Sequence, residues 1–553
     1  MNRRNTPRSN PAKMCGKWLI PGLLMSMLAL GCAPVSVGPS GSTAAAARGD
    51  GVGSTPALKR LRVLGTNDFH GHLRPTTPPW ANGREVGGGP ALAAYFQRAR
   101  DEVDAPTILI DAGDVMQGTP LSNLTSGRST VDFYNEVGYT AAAIGNHEFD
   151  WTAETLAERI EQAEFDWLSA NIFVAGSDTF PTWATPTTMV SLPGCAAGPP
   201  ACDSVHVGII GITTQTTPTA AMPSHVAPFA FGDEAEAIDR WVPVLRDGGA
   251  DFVVVTAHEG AYCGIGPTEN CRGPMMDIAA RLTQPPDLIV SGHTHTLLSI
   301  TPSGVPVVQG GSYGTNFSIV DLERVSADSV AVHVRAQPPT FVDQVVPDPE
   351  IERLLDRYLA EVGPILDDVV ATLEAPLLRH GPEYPLGNLI ADAQRTTVGV
   401  QVAIMNNGGI RTDLGSGPVR YEDLFRVQPF GNTLVTMTLA GEALLRALEH
   451  PLNGGRSAGH VSGVRVRYRR NGEPGRRIVE AILDSGEVIR AHGQYRVVVN
   501  NFLAEGGDGF DMLLEGADVE HTGIVDLDAL IDYLAALPSP TPVPPVGRFQ
   551  SVD

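Results

Sequence analysis

The sequence predicts an α/β protein of two unlike domains joined by a helix, with an export segment in front. Three observations carry this reading. Short apolar runs recur between about Leu61 and Val334, each stopping at a polar cluster; segments of helical type such as "PALAAYFQRARDEV" and "AETLAERIEQA" lie between them; and a different set of motifs follows from about residue 373. Unbroken apolar runs fit strands buried on both faces with helices packed against them. At 553 residues the chain also exceeds what one core usually holds.

The N-terminus reads as an address. "MNRRNTPRSNPAKMCGK" is basic, "WLIPGLLMSMLAL" is apolar but too short to span a bilayer comfortably, and Gly31 and Cys32 follow. That order predicts a signal peptide over residues 1–32. Small residues before a cysteine resemble a bacterial lipoprotein box, although Leu30 and Ala29 stand in the reverse of the usual order. Lipidation would make the protein a periplasmic or cell-envelope lipoprotein anchored through Cys32. Ordinary cleavage near "STAAAA" is the alternative. Residues 33–57 have the Gly, Ser and Ala content of a flexible tether.

Export makes the remaining cysteines interpretable. Cys195, Cys202, Cys263 and Cys271 would sit in an oxidising compartment. Two short-range pairs, Cys195 with Cys202 and Cys263 with Cys271, are the simplest connectivity, and the spacing is no zinc pattern. The net charge of −23 argues against binding a nucleic-acid polymer, since such proteins present basic faces to phosphate. Any phosphate bound here needs local cations.

Five strand ends deliver residues of ligand type. "LRVLGTNDFHGH" ends in Asp68 and His70, "TILIDAGD" in Asp114, and "AAAIGNHEFD" in Asn146, His147 and Asp150. "DFVVVTAHEG" supplies His258, and "DLIVSGHTH" supplies His293 and His295. Taken singly, each is more often a capped turn or a hydrogen-bonded histidine than a site. In α/β layers, however, the loops leaving the carboxyl ends of strands share one edge, so the five are expected to converge.

The ordered set D-x-H, G-D, G-N-H-E, H and G-H-x-H resembles the calcineurin-like metallophosphoesterase superfamily. The resemblance implies a four-layer metallophosphoesterase sandwich over residues 58–335, with two divalent metals, zinc, manganese or similar, placed to clamp a phosphoryl group. Carried over by motif, Asp68, His70, Asp114 and His295 would hold the first metal. Asp114, Asn146, His258 and His293 would hold the second, with Asp114 bridging. His147 would be no ligand. It would face the scissile phosphate as a charge stabiliser or general acid, oriented by Asp150.

Residues 336–372 read as a linker and connecting helix, with Ile351, Leu354, Leu355 and Leu359 at helical spacing. Beyond it, to residue 550, stand "EYPLGNLIADA", "NNGGIR", "QPFGNTL" and "NFLAEGGDGF". With the first domain these resemble the 5′-nucleotidase family, which includes periplasmic UDP-sugar hydrolase, and they imply an α+β substrate-binding domain. In "NNGGIR" the glycines permit close approach of backbone to an anion and Arg411 adds a charged fork. The resemblance implies that Phe430 and Phe502 sandwich a nucleobase, Asp508 accepts from ribose hydroxyls and Asn406 lies near the base. One part departs from the family: where an arginine is expected just ahead of Glu383 the chain reads "RHGPE", so either Arg379 in a shifted register or His380 would serve.

The resemblance therefore implies an exported dimetal hydrolase of nucleotide phosphate esters, with 5′-nucleotidase activity as the first reading. A 2′,3′-cyclic-nucleotide phosphodiesterase or a UDP-sugar hydrolase is the alternative. A metal-stabilised surface-binding protein without catalysis is the alternative of another class, and the complete ligand set with His147 and Asp150 argues against it. Because Phe430, Phe502 and Asp508 lie outside every metal motif, nucleoside identity is expected to be read by the second domain alone.

Overall fold

The computed structural model describes residues 59–195, 203–264, 266–326, 329–453 and 459–553. The expected signal peptide and tether, with Cys32, and also Cys202, lie outside them. Pro56–Asp553 is one compact unit, built around two six-stranded sheets and a smaller five-stranded one.

In the first sheet Arg60–Thr66, Thr107–Asp111, Ala141–Ala143 and Asp166–Leu168 run parallel in that order, and Ser318–Ser326 and Ser329–Ala336 extend the other edge antiparallel. The second sheet has a parallel centre of Val205–Thr213, Phe252–His258, Leu288–Ser291 and Val307–Gly310, edged antiparallel by Thr187–Leu192 and Leu297–Ile300. The sheets pack face to face through Val63, Ile108, Ile110, Leu168, Val207, Ile209, Val254 and Val290. Their approach is close: a Cβ on Gly211 would lie 2.3 Å from the backbone of Leu168.

Helices Gly89–Asp101, Arg128–Val137 and Ala153–Gln162 cover the outer face of the first sheet through Phe96, Val131 and Leu156. Glu234–Asp247 and Pro274–Arg281 cover the second through Ile238, Leu245, Met275 and Ile278. The result is helix, sheet, sheet, helix, the expected four layers. It explains why the parallel central strands lack alternation, since each has an apolar neighbour on both sides.

The helix Pro349–Leu366 starts where the Asp348 side chain accepts from Glu350 N and Ile351 N. It buries Ile351, Leu354, Tyr358, Val362 and Leu366 against the helical layer of the first sheet, so this connector is also part of the first domain's wall. Leu355 and Leu359 are only partly buried.

Beyond it, the five-stranded mixed sheet runs in the order Gly459–Ser462, Val402–Asn406, Gln494–Asn500, Thr433–Ala440, Ala517–Val525. Helices Pro385–Val398 and Asp526–Ala536 pack on one face and Gly441–Glu449 on the other. The C-terminal strand Phe549–Ser551 is fastened by Glu383, whose carboxylate accepts from the backbone N–H groups of Gly547, Arg548 and Phe549 at 2.9 to 3.1 Å. Cys263 is joined to Cys271 by a disulfide, as the spacing predicts. Cys195 is also disulfide-bonded, and Cys202, its expected partner, lies outside the described residues.

Candidate dimetal active site

The strand ends meet at one edge. Asp68 and His70 follow Arg60–Thr66, Asp114 follows Thr107–Asp111, and Asn146 and His147 follow Ala141–Ala143. From the second sheet His258 ends Phe252–His258, while His293 and His295 follow Leu288–Ser291. Because these strands are parallel within each sheet, their carboxyl ends open on the same side.

The loops are held in uncommon conformations. Asp68, His70, Asp114, His293 and His295 all have φ between 49° and 67°, the left-handed region that few non-glycine residues occupy. Such backbone costs about 1–3 kcal/mol per residue and persists where surrounding structure enforces it. Gly145 shows the crowding: a Cβ there would lie 2.3 Å from Asp114 Oδ1.

Two clusters result. Asp68, His70 and His295 form one, and Asp114, His258 and His293 the other, each with its ligand atoms within 4.8 Å of one another. Asn146 Oδ1 joins the second, 3.1 Å from His258 Nε2 and 3.0 Å from His293 Nδ1. Asp114 Oδ2 lies 3.1 Å from His258 Nε2 and 3.7 Å from His70 Nε2, so one carboxylate oxygen faces both clusters.

The donor chemistry fits cations. His70 Nδ1 donates to Gln117 O at 2.6 Å and His258 Nδ1 donates to Ala112 O at 2.8 Å. A carbonyl only accepts, so each Nδ1 carries a hydrogen and each Nε2 is the ring nitrogen turned towards the cluster, the orientation of metal-bound histidines. His70 Nε2 then faces His295 Nε2 at 3.2 Å. Burial alone would depress His258, yet Asp114 overrides it and pushes the imidazole up to about 10. His70, by contrast, is held well below its ordinary value by burial.

His147 stands at the rim, its Nδ1 2.6 Å from Asp150 Oδ2. Burial works against its protonation, but Asp150 and then Asp114 outweigh this and raise its pKa above the ordinary histidine value. Its backbone N–H donates to Asp114 Oδ1 at 2.9 Å.

A cavity of about 610 Å³ joins these groups to the second domain. Asp114, Asn146, His147, Asp150, His293 and His295 line one side, and Asn406, Arg411, Phe430, Phe502, Asp508 and Arg379 the other. Phe430 lies parallel to His147 at 5.7 Å, with the Arg411 guanidinium 5.6 Å from its ring. Of the two candidates ahead of Glu383, Arg379 lines the cavity and hydrogen-bonds Ile410 O at 2.6 Å, while His380 is exposed and does not line it. Asn406 is engaged within the protein: its Nδ2 donates to Asp508 Oδ2 at 2.6 Å and its Oδ1 accepts from Asn500 at 3.3 Å. It thereby orients Asp508 while itself lining the cavity.

Several lining residues escape the sequence reading. Asn407 and Asn432 sit inside quoted motifs and could have been picked out as polar neighbours of Asn406 and Phe430. Ala220 and Met222 also line the cavity, and they come from the first domain. Met222 Sδ accepts from Asn501 Nδ2 at 3.7 Å, beside Phe502. A first-domain loop thus shares the cavity wall with the second domain, beside the residues expected to read the nucleoside.

The comparisons agree with this two-part construction. The family model "Calcineurin-like phosphoesterase" matches residues 61–297, and "5'-nucleotidase, C-terminal domain" matches residues 369–515. The chain belongs to the 5′-nucleotidase family. The human 5′-nucleotidase (Homo sapiens) is 28% identical over 534 residues, covering 86% of this chain and 88% of that protein. Endonuclease YhcR of Bacillus subtilis is 26% identical over 516 residues, and there the match covers 89% of this chain but only 41% of the longer relative. Among solved structures, a 5′-nucleotidase precursor from Thermus thermophilus superposes with a TM-score of 0.75 at 29% identity, covering 89% of this chain and 99% of that one. Calcineurin-like phosphoesterases use two divalent metals, and the two clusters here suit that pair.

Asp114 gives the direct test of that pairing. Replacing it by Asn is expected to weaken both metals together, because one oxygen faces both clusters. Metal content after dialysis checks this, and two tightly held ions in Asp114→Asn would refute the shared role.

Proposed function

We propose that this chain hydrolyses nucleotide phosphate esters, acting first as a 5′-nucleotidase that converts a nucleoside 5′-phosphate and water to nucleoside and phosphate. The observation that carries the reading is that one cavity is walled by both histidine–carboxylate clusters on one side and by two arginines, two phenylalanines and Asp508 on the other.

Asp68, His70, Asp114 and His295 would hold one metal, and Asp114, Asn146, His258 and His293 the other. Bound there, divalent ions supply Lewis-acid stabilisation of phosphoryl oxygens and make water a competent nucleophile near neutral pH. The protein's own residues do the rest. Arg411 and Arg379 neutralise phosphate charge from the second domain. His147, with its Nδ1–H given to Asp150, presents its other ring nitrogen as a donor to the phosphoryl oxygen or the departing nucleoside oxygen. Asp508, oriented by Asn406, accepts from ribose hydroxyls, and Phe430 and Phe502 hold the base by its faces. Metals and base sites sit on different domains, so opening and closing of the cleft belongs to turnover.

Residues 1–32 support export, with lipidation of Cys32 as the finer reading. The intact mass of the mature chain tests it: a diacylated N-terminal cysteine supports the anchor, and an unmodified start near Ala47 refutes it.

Turnover of AMP, UDP-glucose and 2′,3′-cyclic AMP by metal-loaded protein tests the substrate reading; AMP is expected to be hydrolysed best, and inactivity on all three would overturn it. His147→Ala is expected to keep its metals while kcat falls by about 10²-fold; loss of metal instead would make His147 a ligand. Phe502→Ala is expected to cost about 1–3 kcal/mol on AMP, mostly as a higher KM. p-Nitrophenyl phosphate, which has no base, should be hydrolysed about as before. Equal losses on both substrates would assign Phe502 to the fold.

A further inference from the structure

Glu148 lies within the hexapeptide "GNHEFD" but faces away from the cavity, and neither the metals nor the substrate needs it as a partner. It is fully buried. Its carboxylate is surrounded by backbone donors: Oε2 accepts from Asp114 N at 2.9 Å and from Gly145 N at 2.8 Å, while Oε1 accepts from Val115 N at 2.8 Å and more weakly from Met116 N at 3.4 Å. These donors belong to two ligand loops, the one that carries Asp114 and the one that carries Asn146 and His147.

We infer that Glu148 is a positioning residue that staples the two ligand loops together and so sets the dimetal site before any metal arrives. The need for it follows from the backbone. Asp114 stands at a φ of 57° and Gly113 at 89°, so this loop cannot pair its N–H groups in a strand or helix. Buried N–H groups without partners are costly, and one carboxylate with two oxygens satisfies three of them at short range. The two loops are also close enough that Gly145 has no room for a Cβ beside Asp114. His147 N–H donating to Asp114 Oδ1 at 2.9 Å completes a closed circuit through Asp114, His147 and Glu148.

The chemistry of the clamp is specific to glutamate. Gln has the same shape, but in either amide orientation its NH₂ meets one pair of backbone N–H groups, donor against donor. Asp keeps the charge but is one methylene shorter and cannot reach both loops.

The inference rests on the dimetal reading and not on which phosphate ester is the substrate, so its test uses Mn²⁺ alone. In the full-length protein, Glu148→Gln and Glu148→Asp are each expected to lower Mn²⁺ affinity by about 10- to 100-fold and to change the electron paramagnetic resonance signal of the coupled ion pair. Wild-type affinity and signal in folded variants would overturn the proposal. Amide hydrogen exchange of metal-free wild-type protein gives a second measure that needs no variant. Asp114, Val115 and Gly145 are expected to be protected relative to an unstructured peptide, and exchange at the unstructured rate would refute a preformed staple. Should Mn²⁺ binding fall as expected while wild-type protein turns over no nucleotide, the substrate reading fails and this inference stands.

Discussion

The carboxylate of Asp114 is the point on which the site depends. One oxygen faces His258 and His70, the other accepts the backbone N–H of His147, and the residue's own N–H is taken by Glu148. A buried carboxylate stripped of water is unfavourable unless positive charge or donors surround it. Burial raises its pKa, but His258 and His147 more than reverse this and hold Asp114 well below the usual carboxylate value. Two dications in the same place would answer the same demand more strongly, and His70 and His258, whose Nδ1–H groups donate to carbonyls, turn their Nε2 atoms towards it.

The four-layer sandwich supplies the rigidity that this charge concentration requires. Ligand loops in left-handed backbone relax unless their roots are fixed, and here every root is a strand with apolar packing on both faces. The second domain meets the first through Tyr421, which packs against both cores, and through polar contacts: Asn123 Nδ2 donates to Pro429 O at 2.6 Å, Arg74 pairs with Glu422 at 2.8 Å, and Ser224 N–H donates to Glu505 at 3.0 Å. Arg74 is partly exposed, and exposed ion pairs contribute little.

Much of the first domain was legible because its strands end in chemistry. A carboxylate or histidine straight after an unbroken apolar run is unusual enough that five such runs point to one shared edge, while the assignment of ligands to two metals came from the resemblance to metallophosphoesterases. The connecting helix was legible from its spacing, though its exposed side was not: Tyr358 and Val362 are buried where Leu355 and Leu359 stay partly open, since the docking face follows the neighbouring helices and periodicity alone leaves its edges open. Asn406 shows another limit. It lines the cavity, but spacing could not show that its amide also pairs with Asp508 and Asn500, residues far along the chain.

The sequence by itself determined the class of fold, the two-domain order, the residues able to hold two metals, and the pairing of His147 with Asp150 three positions away, because all of these depend on local spacing and on the rule that parallel strands open at one edge. Only the tertiary structure decided that Arg379 and not His380 reaches the cavity, that Met222 and Ala220 share its wall, and that Glu148 ties the Asp114 loop to the Asn146 loop. Those facts depend on distances between segments separated by tens to hundreds of residues, and such distances are set by how sheets and domains pack, a quantity no short stretch of sequence carries.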